Sequence, residues 1–565
     1  MTRDLSALFA VILAALIFFD PPLPWIGNRV IYVSPRGSDW NRGKSPEQAV
    51  ATIQRAADLV APGGTVVILP GVYREDVRIR RGGEAGRPVV FRARQPGTVT
   101  ISGAAADDVV SRLQWRDEGD RIWSSATPWP VHHVVGDGMN FYHVRWAKGS
   151  GDSVYYWVGK NGRVDILRRL MKRPKPWGAF TYENGRLYLA FPDGRSPKDH
   201  DLVIHRPIPR PYASWTVRSA NVWLEADHVR FEGIRFFLGV GAGLILWDAR
   251  DVTVSDCLFT GANFGISNFP TLKQPDDLVV EHSLYHNYPQ YFWSREWLSY
   301  GEIYSHHAFS TLVCAAGDGI IARYNLVTHS ADGLELSTPD TEIVRGVRIY
   351  GNFLVRGTDD AIEFDGFAKR VSFHDNLIYD HYDCLSLSPV LAGPVLIRDN
   401  IVLGPSSPRK GAHFKLMNPW LGRHDGREGP NRNIIAEGNL FQGKWLCFKS
   451  GSTENVQVRG NIFADVAVGQ FGFPEGVTES ENIRLGDVVA VEGPEAYCRL
   501  KRRLSPAQGC RPLDALFARL ADGDKGDGRF GSERPGPSWY EYESSPATSG
   551  LNRLVAPWLG GWKCD

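Results

Sequence analysis

Six ionisable residues in the middle of this 565-residue chain have the types and spacing to act together. Asp332 and Glu335 stand three apart, Asp359, Asp360 and Glu363 follow, and Lys415 comes later inside the triplet Phe414-Lys415-Leu416. Carboxylates held within a few ångströms of one another share a proton or share a cation. An oxygen-only set with no His or Cys among it suits calcium, so Asp359, Asp360 and Glu363 together form a candidate cation site. Asp332 has a plainer role open to it, capping a chain corner by accepting backbone N–H groups. Lys415 would be a solvated surface group if it stood alone.

What must bring these residues together is a repeat. A small or polar residue, Asn and two apolar residues recur at Asn325, Asn352, Asn376, Asn400, Asn439 and Asn461, in steps of 27, 24, 24, 39 and 22. Such a period is the mark of a solenoid whose rungs are short strands. Each rung carries a second alternating segment: Leu334-Glu335-Leu336, Ile362-Glu363-Phe364, Leu385-Ser386-Leu387, Phe414-Lys415-Leu416 and Leu446-Cys447-Phe448. Successive strand residues face opposite sides, so the apolar pair points to the core and the middle residue points out. The predicted outward column is Glu335, Glu363, Ser386, Lys415 and Cys447, with rungs roughly 4.8 Å apart. The stacked Asn side chains are expected to bond one another and the backbone at the corners.

The rest of the chain divides around this repeat. Residues 1–28 hold a 15-residue apolar run, residues 5–19, broken only by Ser6, with the length of a signal-peptide core or N-terminal anchor. Residues 29–103 read as an N-terminal cap and first rungs, with a helix starting at Ser45-Pro46, placing Ile53, Ala56, Ala57 and Val60 on one face and stopping at Pro62-Gly63-Gly64. Residues 104–211 break the rhythm with many Trp and the hairpin signal Asn184-Gly185, and read as an inserted β-rich domain. Rungs resume over 212–466, and 467–565 form a C-terminal cap or tail. Cys257, Cys384 and Cys447 fall on rung positions as small fillers, whereas Cys498 and Cys510 lie close enough in the tail to bridge. Lys+Arg 64 against Asp+Glu 63 leaves a net charge of +1 and no argument for a nucleic-acid or membrane-surface partner.

The 39-residue step places a loop, residues 405–433, over the Lys415 rung. It supplies Arg409, His413, Trp420 and Arg423, a positive and aromatic rim of the kind that binds an acidic polysaccharide.

An acidic residue, then Asp-Asp-x-x-acid one rung on, then Phe-Lys-Leu further along resembles the family 9 polysaccharide lyases, largely pectate lyases. The resemblance spans roughly residues 332–416 and implies a right-handed parallel β-helix, an all-β fold. It implies calcium held by Glu335, Asp359, Asp360 and Glu363, and Lys415 as the base. Glu335 and Glu363 stand where the family has Asp, and Met417-Asn418 where it has Gly-Gly. The expected protein is a secreted, cell-surface or periplasmic monomer that cleaves a uronic-acid polysaccharide by β-elimination. Three alternatives use the same face: a glycoside hydrolase with paired carboxylates, a uronan C5-epimerase, and a non-catalytic glycan-binding solenoid.

Overall fold

Short alternating strands cannot bury their inner faces singly; stacked as rungs, they bury one continuous core. The computed structural model describes most of residues 28–485, outside 145–163, 173–177, 208–218, 269–275, 288–309, 337–343, 404–411, 417–428, 444–447 and 465–472 and a few single positions. These residues form a parallel β-helix with three walls. The first wall is a 13-stranded sheet running from Asn28–Val33 to Val477–Ser480. The second and third share one pairing network, because Ile234–Leu246 and Leu258–Ser267 bend through both. The second runs from Gly71–Tyr73 to Ile483–Leu485, the third from Val77–Ile79 to Phe448–Ser450. Inward residues from all three walls, among them Val313, Leu334, Ile362, Leu385 and Phe414, make a single apolar core.

The repeated phrase sits at the corner between the first and second walls. The residue before each Asn is in the left-handed region: Gly351 (φ 64°), Gly438 (φ 67°) and Gly460 (φ 59°), with Asp375 (φ 55°) and Asp399 (φ 57°) as the polar substitutes that tolerate it. Each Asn Oδ1 then accepts from the backbone N–H and the Nδ2 of the Asn one rung before. Asn352 meets Asn376 this way at 3.0 Å twice, and Asn376 meets Asn400 at 3.1 and 2.9 Å. The ladder runs through Asn325, Asn352, Asn376, Asn400, Asn439 and Asn461 to Asn482, one rung beyond the expected end of the helix at 466. Upstream it continues with Ser283 and Cys257 in the Asn place. Asn376→Ala would strip two donors on Asn352 of their acceptor in a buried corner. We expect a loss of about 3 kcal/mol in urea unfolding, and a loss under about 1 kcal/mol would refute a structural role for the ladder.

The N-terminal helix is shorter than expected. Pro46–Gln48 is a single 3-10 turn, and the α-helix is Ile53–Leu59, with Val60 already in the strand Val60–Ile68 that contains Pro62-Gly63-Gly64. Its start is fixed by caps: the Thr52 hydroxyl accepts from Arg55 N, and the Glu75 carboxylate accepts from Ile53 N and Gln54 N at 2.8 and 3.0 Å. Its buried face is Ile53, Ala56 and Ala57.

Between Val99–Ser102 and Ala220–Leu224 the chain builds separate three- and five-stranded sheets around their own core. The hairpin Ala179–Glu183 and Arg186–Ala190 turns at Asn184 (φ 50°) and Gly185 (φ 77°). Among the described residues no helix is long and apolar enough to cross a membrane. The apolar segment at residues 5–19, Cys498 and Cys510 lie outside them.

Candidate active site

Four strands of the third wall carry the candidate residues, and we label them β1 (Leu334–Glu335), β2 (Asp360–Glu363), β3 (Asp383–Ser386) and β4 (Phe414–Leu416). Their parallel register pairs Glu335 with Glu363, Glu363 with Ser386, and Ser386 with Lys415. The flanking Leu334, Ile362, Leu385 and Phe414 are buried in the core, so the four middle residues share the outer face. Cys447, the expected fifth member, lies outside the described residues, and the register gives its place to Lys449, which pairs with Lys415. At the other end the column continues into Cys314, buried and free, which pairs with Glu335.

A second column stands three residues earlier in each rung, at the corner leading into the strand. Asp360 pairs with Asp383 in register. Asp332 occupies the same place one rung before and accepts a 3.0 Å hydrogen bond from Asp360 N. Asp383 accepts one of 2.6 Å from Ala412 N. The corner-capping role open to Asp332 is therefore real, and Asp383 shares it. Gly333 allows the close approach, since a Cβ there would lie 2.3 Å from the Ala361 carbonyl oxygen.

The two columns bring the carboxylates together. Ligand atoms of Asp332, Glu335 and Glu363 lie within 4.8 Å of one another, and so do those of Asp332, Asp359 and Asp360. Asp332 joins both groups, although a corner cap was its expected role. Glu335 Oε2 and Asp360 Oδ1 are buried and make no hydrogen bond. Burial, followed by the charges of Asp359, Glu335 and Asp360, pushes the Asp332 carboxyl well above its ordinary range. Burial likewise raises Glu335, with Asp360 adding to the shift and the neighbouring Cys314 thiol opposing it. Asp360 is raised by burial in spite of Lys415. An all-oxygen set with partnerless buried atoms fits a hard divalent cation.

Lys415 Nζ is 2.9 Å from Asp360 Oδ2 and 4.0 Å from Asp383 Oδ2. Burial alone would lower its pKa, but Asp360, Asp359, Asp383 and Glu363 together outweigh that and hold the ammonium protonated. The Lys thus takes up part of the negative charge of the cluster.

His413 does not reach the rim. It is fully buried at the corner before β4, its Nδ1 3.8 Å from Cys384 Sγ and its ring 6.0 Å from that of Phe441, and burial holds it neutral with a pKa of about 4. An imidazole enclosed in the wall cannot touch substrate, so its expected binding role is set aside. Arg409, Trp420 and Arg423 lie outside the described residues. Sequence reasoning passed over Asp383 and Cys314. Asp383 had a signal, because it precedes Ser386 by three as Asp332 precedes Glu335 and Asp360 precedes Glu363. Cys314 had none, because its rung is split by residues 288–309 and the Asn ruler cannot be read across them.

No family model matches the chain. The uncharacterized protein YwoF of Bacillus subtilis (strain 168) is 40% identical over 73 residues, which are 13% of this chain and 15% of that protein. Among solved structures, the complex of XylC with xylose superposes with a TM-score of 0.52 at 13% identity, covering 82% of this chain and 87% of that one. Pectate lyase Pel9A gives a TM-score of 0.40 at 12% identity over 81% and 80% of the two chains. A rhamnogalacturonan lyase gives 0.38 at 10% over 82% and 90%. At 13% identity the likeness to XylC shows the fold alone, a parallel β-helix.

Proposed function

We propose that this protein is a secreted polysaccharide lyase that cleaves a uronic-acid polysaccharide by β-elimination, with Lys415 as base. One observation carries the reading: a nearly buried Lys is held 2.9 Å from Asp360 on the face that also gathers Asp332, Glu335, Asp359 and Glu363. A solvated ladder of surface charges has no reason to bury partnerless carboxylate oxygens at such cost.

Glu335, Asp359, Asp360 and Glu363 would hold a calcium ion, with Asp332 beside them. When bound, such an ion neutralises the sugar carboxylate and so acidifies the proton at C5. Lys415 does the rest through its proton. In its neutral form Nζ takes the C5 proton, the C4–C5 double bond forms, and the C4–O4 bond breaks as the leaving oxygen takes a proton from water. Asp360, first among the four carboxylates that hold the ammonium, governs most directly whether that form is available. While its Oδ2 faces Nζ alone, the pair keeps Lys415 cationic, and engaging Asp360 elsewhere frees the amine to lose its proton.

A panel of acidic polysaccharides tests this cheaply. The expected result is ultraviolet-absorbing unsaturated ends on at least one uronan, abolished by chelator and restored by calcium. The raised pKa of Glu335 favours a second reading, a hydrolase with a protonated carboxylic acid on this face. Saturated products that persist in chelator would establish that reading and refute elimination.

A further inference from the structure

Between Glu363 and Lys415 the outward column carries Ser386, short and uncharged. Its place is outward by register, yet it is 0% exposed. The reason lies with Lys415. β4 stands two rungs from β2, roughly 10 Å away at 4.8 Å per rung. Lys415 Nζ nevertheless lies 2.9 Å from Asp360 Oδ2. Its flexible four-carbon stem has to lean back across β3 to get there. Nζ is also 4.0 Å from Asp383 Oδ2, which belongs to that intervening rung. Lys415 therefore crosses the outer face of β3 where Ser386 stands.

A small residue is needed under such a crossing, and alanine would meet that need. What alanine lacks is the hydroxyl. Ser386 Oγ is buried and makes no hydrogen bond among the described residues. It is near enough to Asp360 to lower that carboxyl, without meeting it in a bond of good geometry. A buried hydroxyl that bonds nothing costs its desolvation and returns nothing to the folded state. Its use then lies in a second arrangement of the same residues. The group crossing over it is an amine with donors to give, and Oγ has two lone pairs to accept them.

We infer that Ser386 Oγ is a second seat for Lys415: when Asp360 turns to a cation, Nζ leaves Asp360 and donates a hydrogen bond to Ser386. Ser386 is thus a positioning residue that keeps Nζ on the outer face of the site. The move needs no change of backbone, because the stem already lies across β3. Asp383 Oδ2 offers a second acceptor on the same rung. The inference rests on the cation and base reading above and adds to it where the base goes.

Calcium titrated calorimetrically into the full-length protein tests it, with melting in chelator as the companion measurement. Ser386→Ala should melt in chelator at or above the wild-type temperature, because the hydroxyl is unbonded there. The same variant should bind calcium about 3–10-fold more weakly, the worth of one hydrogen bond. Ser386→Thr and Ser386→Val have nearly the same size, so the threonine variant should bind calcium more tightly than the valine variant by a similar ratio. Equal calcium affinity within both pairs would overturn the second seat and leave the cation reading standing. A lower melting temperature for Ser386→Ala in chelator would also overturn it, since the hydroxyl would then be bonded already. A wild-type protein that takes up no calcium would overturn the seat and the cation reading together.

Discussion

Lys415→Ala is expected to abolish release of unsaturated uronide ends by the wild-type assay, a fall of about 10²–10⁴-fold in kcat for loss of a general base. Loss of the ammonium also leaves Asp360 facing Asp383 and Asp359 without compensation, so alanine alone confounds catalysis with stability. Lys415→Arg separates the two. The guanidinium can keep a charged contact to Asp360, but it does not lose its proton at any working pH. The expected pattern is an arginine variant that melts near the wild-type temperature and is as inactive as the alanine variant. An arginine variant with wild-type turnover would mean that the cation matters there and the base lies elsewhere. The pH profile adds an independent check. The surrounding carboxylates raise the Lys415 pKa while they face it uncompensated, and a cation on them opposes that shift, so activity should rise toward alkaline pH and the rise should move to lower pH as calcium is added.

Much of this site was legible because a solenoid turns sequence distance into rung position. Glu335, Ser386 and Lys449 each lie ten residues after an Asn of the ladder, and Glu363 lies eleven after Asn352. The ruler also selects Lys449 over Cys447 in the last of these rungs. Choosing the triplet Leu446-Cys447-Phe448 by its apolar flanks shifted the assignment by two residues, keeping the face and losing the register. What sequence could not supply lies at the corners, where rung lengths vary and alternation lapses. His413, two residues before Lys415, was expected in the rim of the loop, but it belongs to a corner that folds its ring into the wall. Asp332 and Asp383 are equally corner residues; the cap at Asp332 and the shared spacing of Asp383 were readable, but which backbone N–H of the next rung each accepts was not. The helix start was displaced for a similar reason, since Glu75 caps Ile53 and Gln54 from more than twenty residues away.

The same carboxylates should make the stability of the protein depend on pH and on calcium. Asp332, Glu335 and Asp360 have pKa values raised above those of the unfolded chain, near 3.9 for Asp and 4.3 for Glu. Between the unfolded and folded values the native state binds more protons than the unfolded one, so stability falls as pH rises through that window. Lys415 does not alter the slope there. Its contribution is fully present below about 10.4, the unfolded lysine value, and is lost only above it because its folded pKa is higher still. In chelator the melting temperature is therefore expected to drop as pH increases from about 4.5 into the neutral range. Calcium at 100 times its dissociation constant should restore about 2.7 kcal/mol at the upper end of that range. It should do little at the lower end, where protons already occupy the cluster. Asp360→Asn should blunt both responses, since it removes one charge from the group and loosens Lys415. A melting temperature that rises with pH in chelator, or one indifferent to calcium at pH 8, would show that these carboxylates are satisfied within the protein and hold no cation.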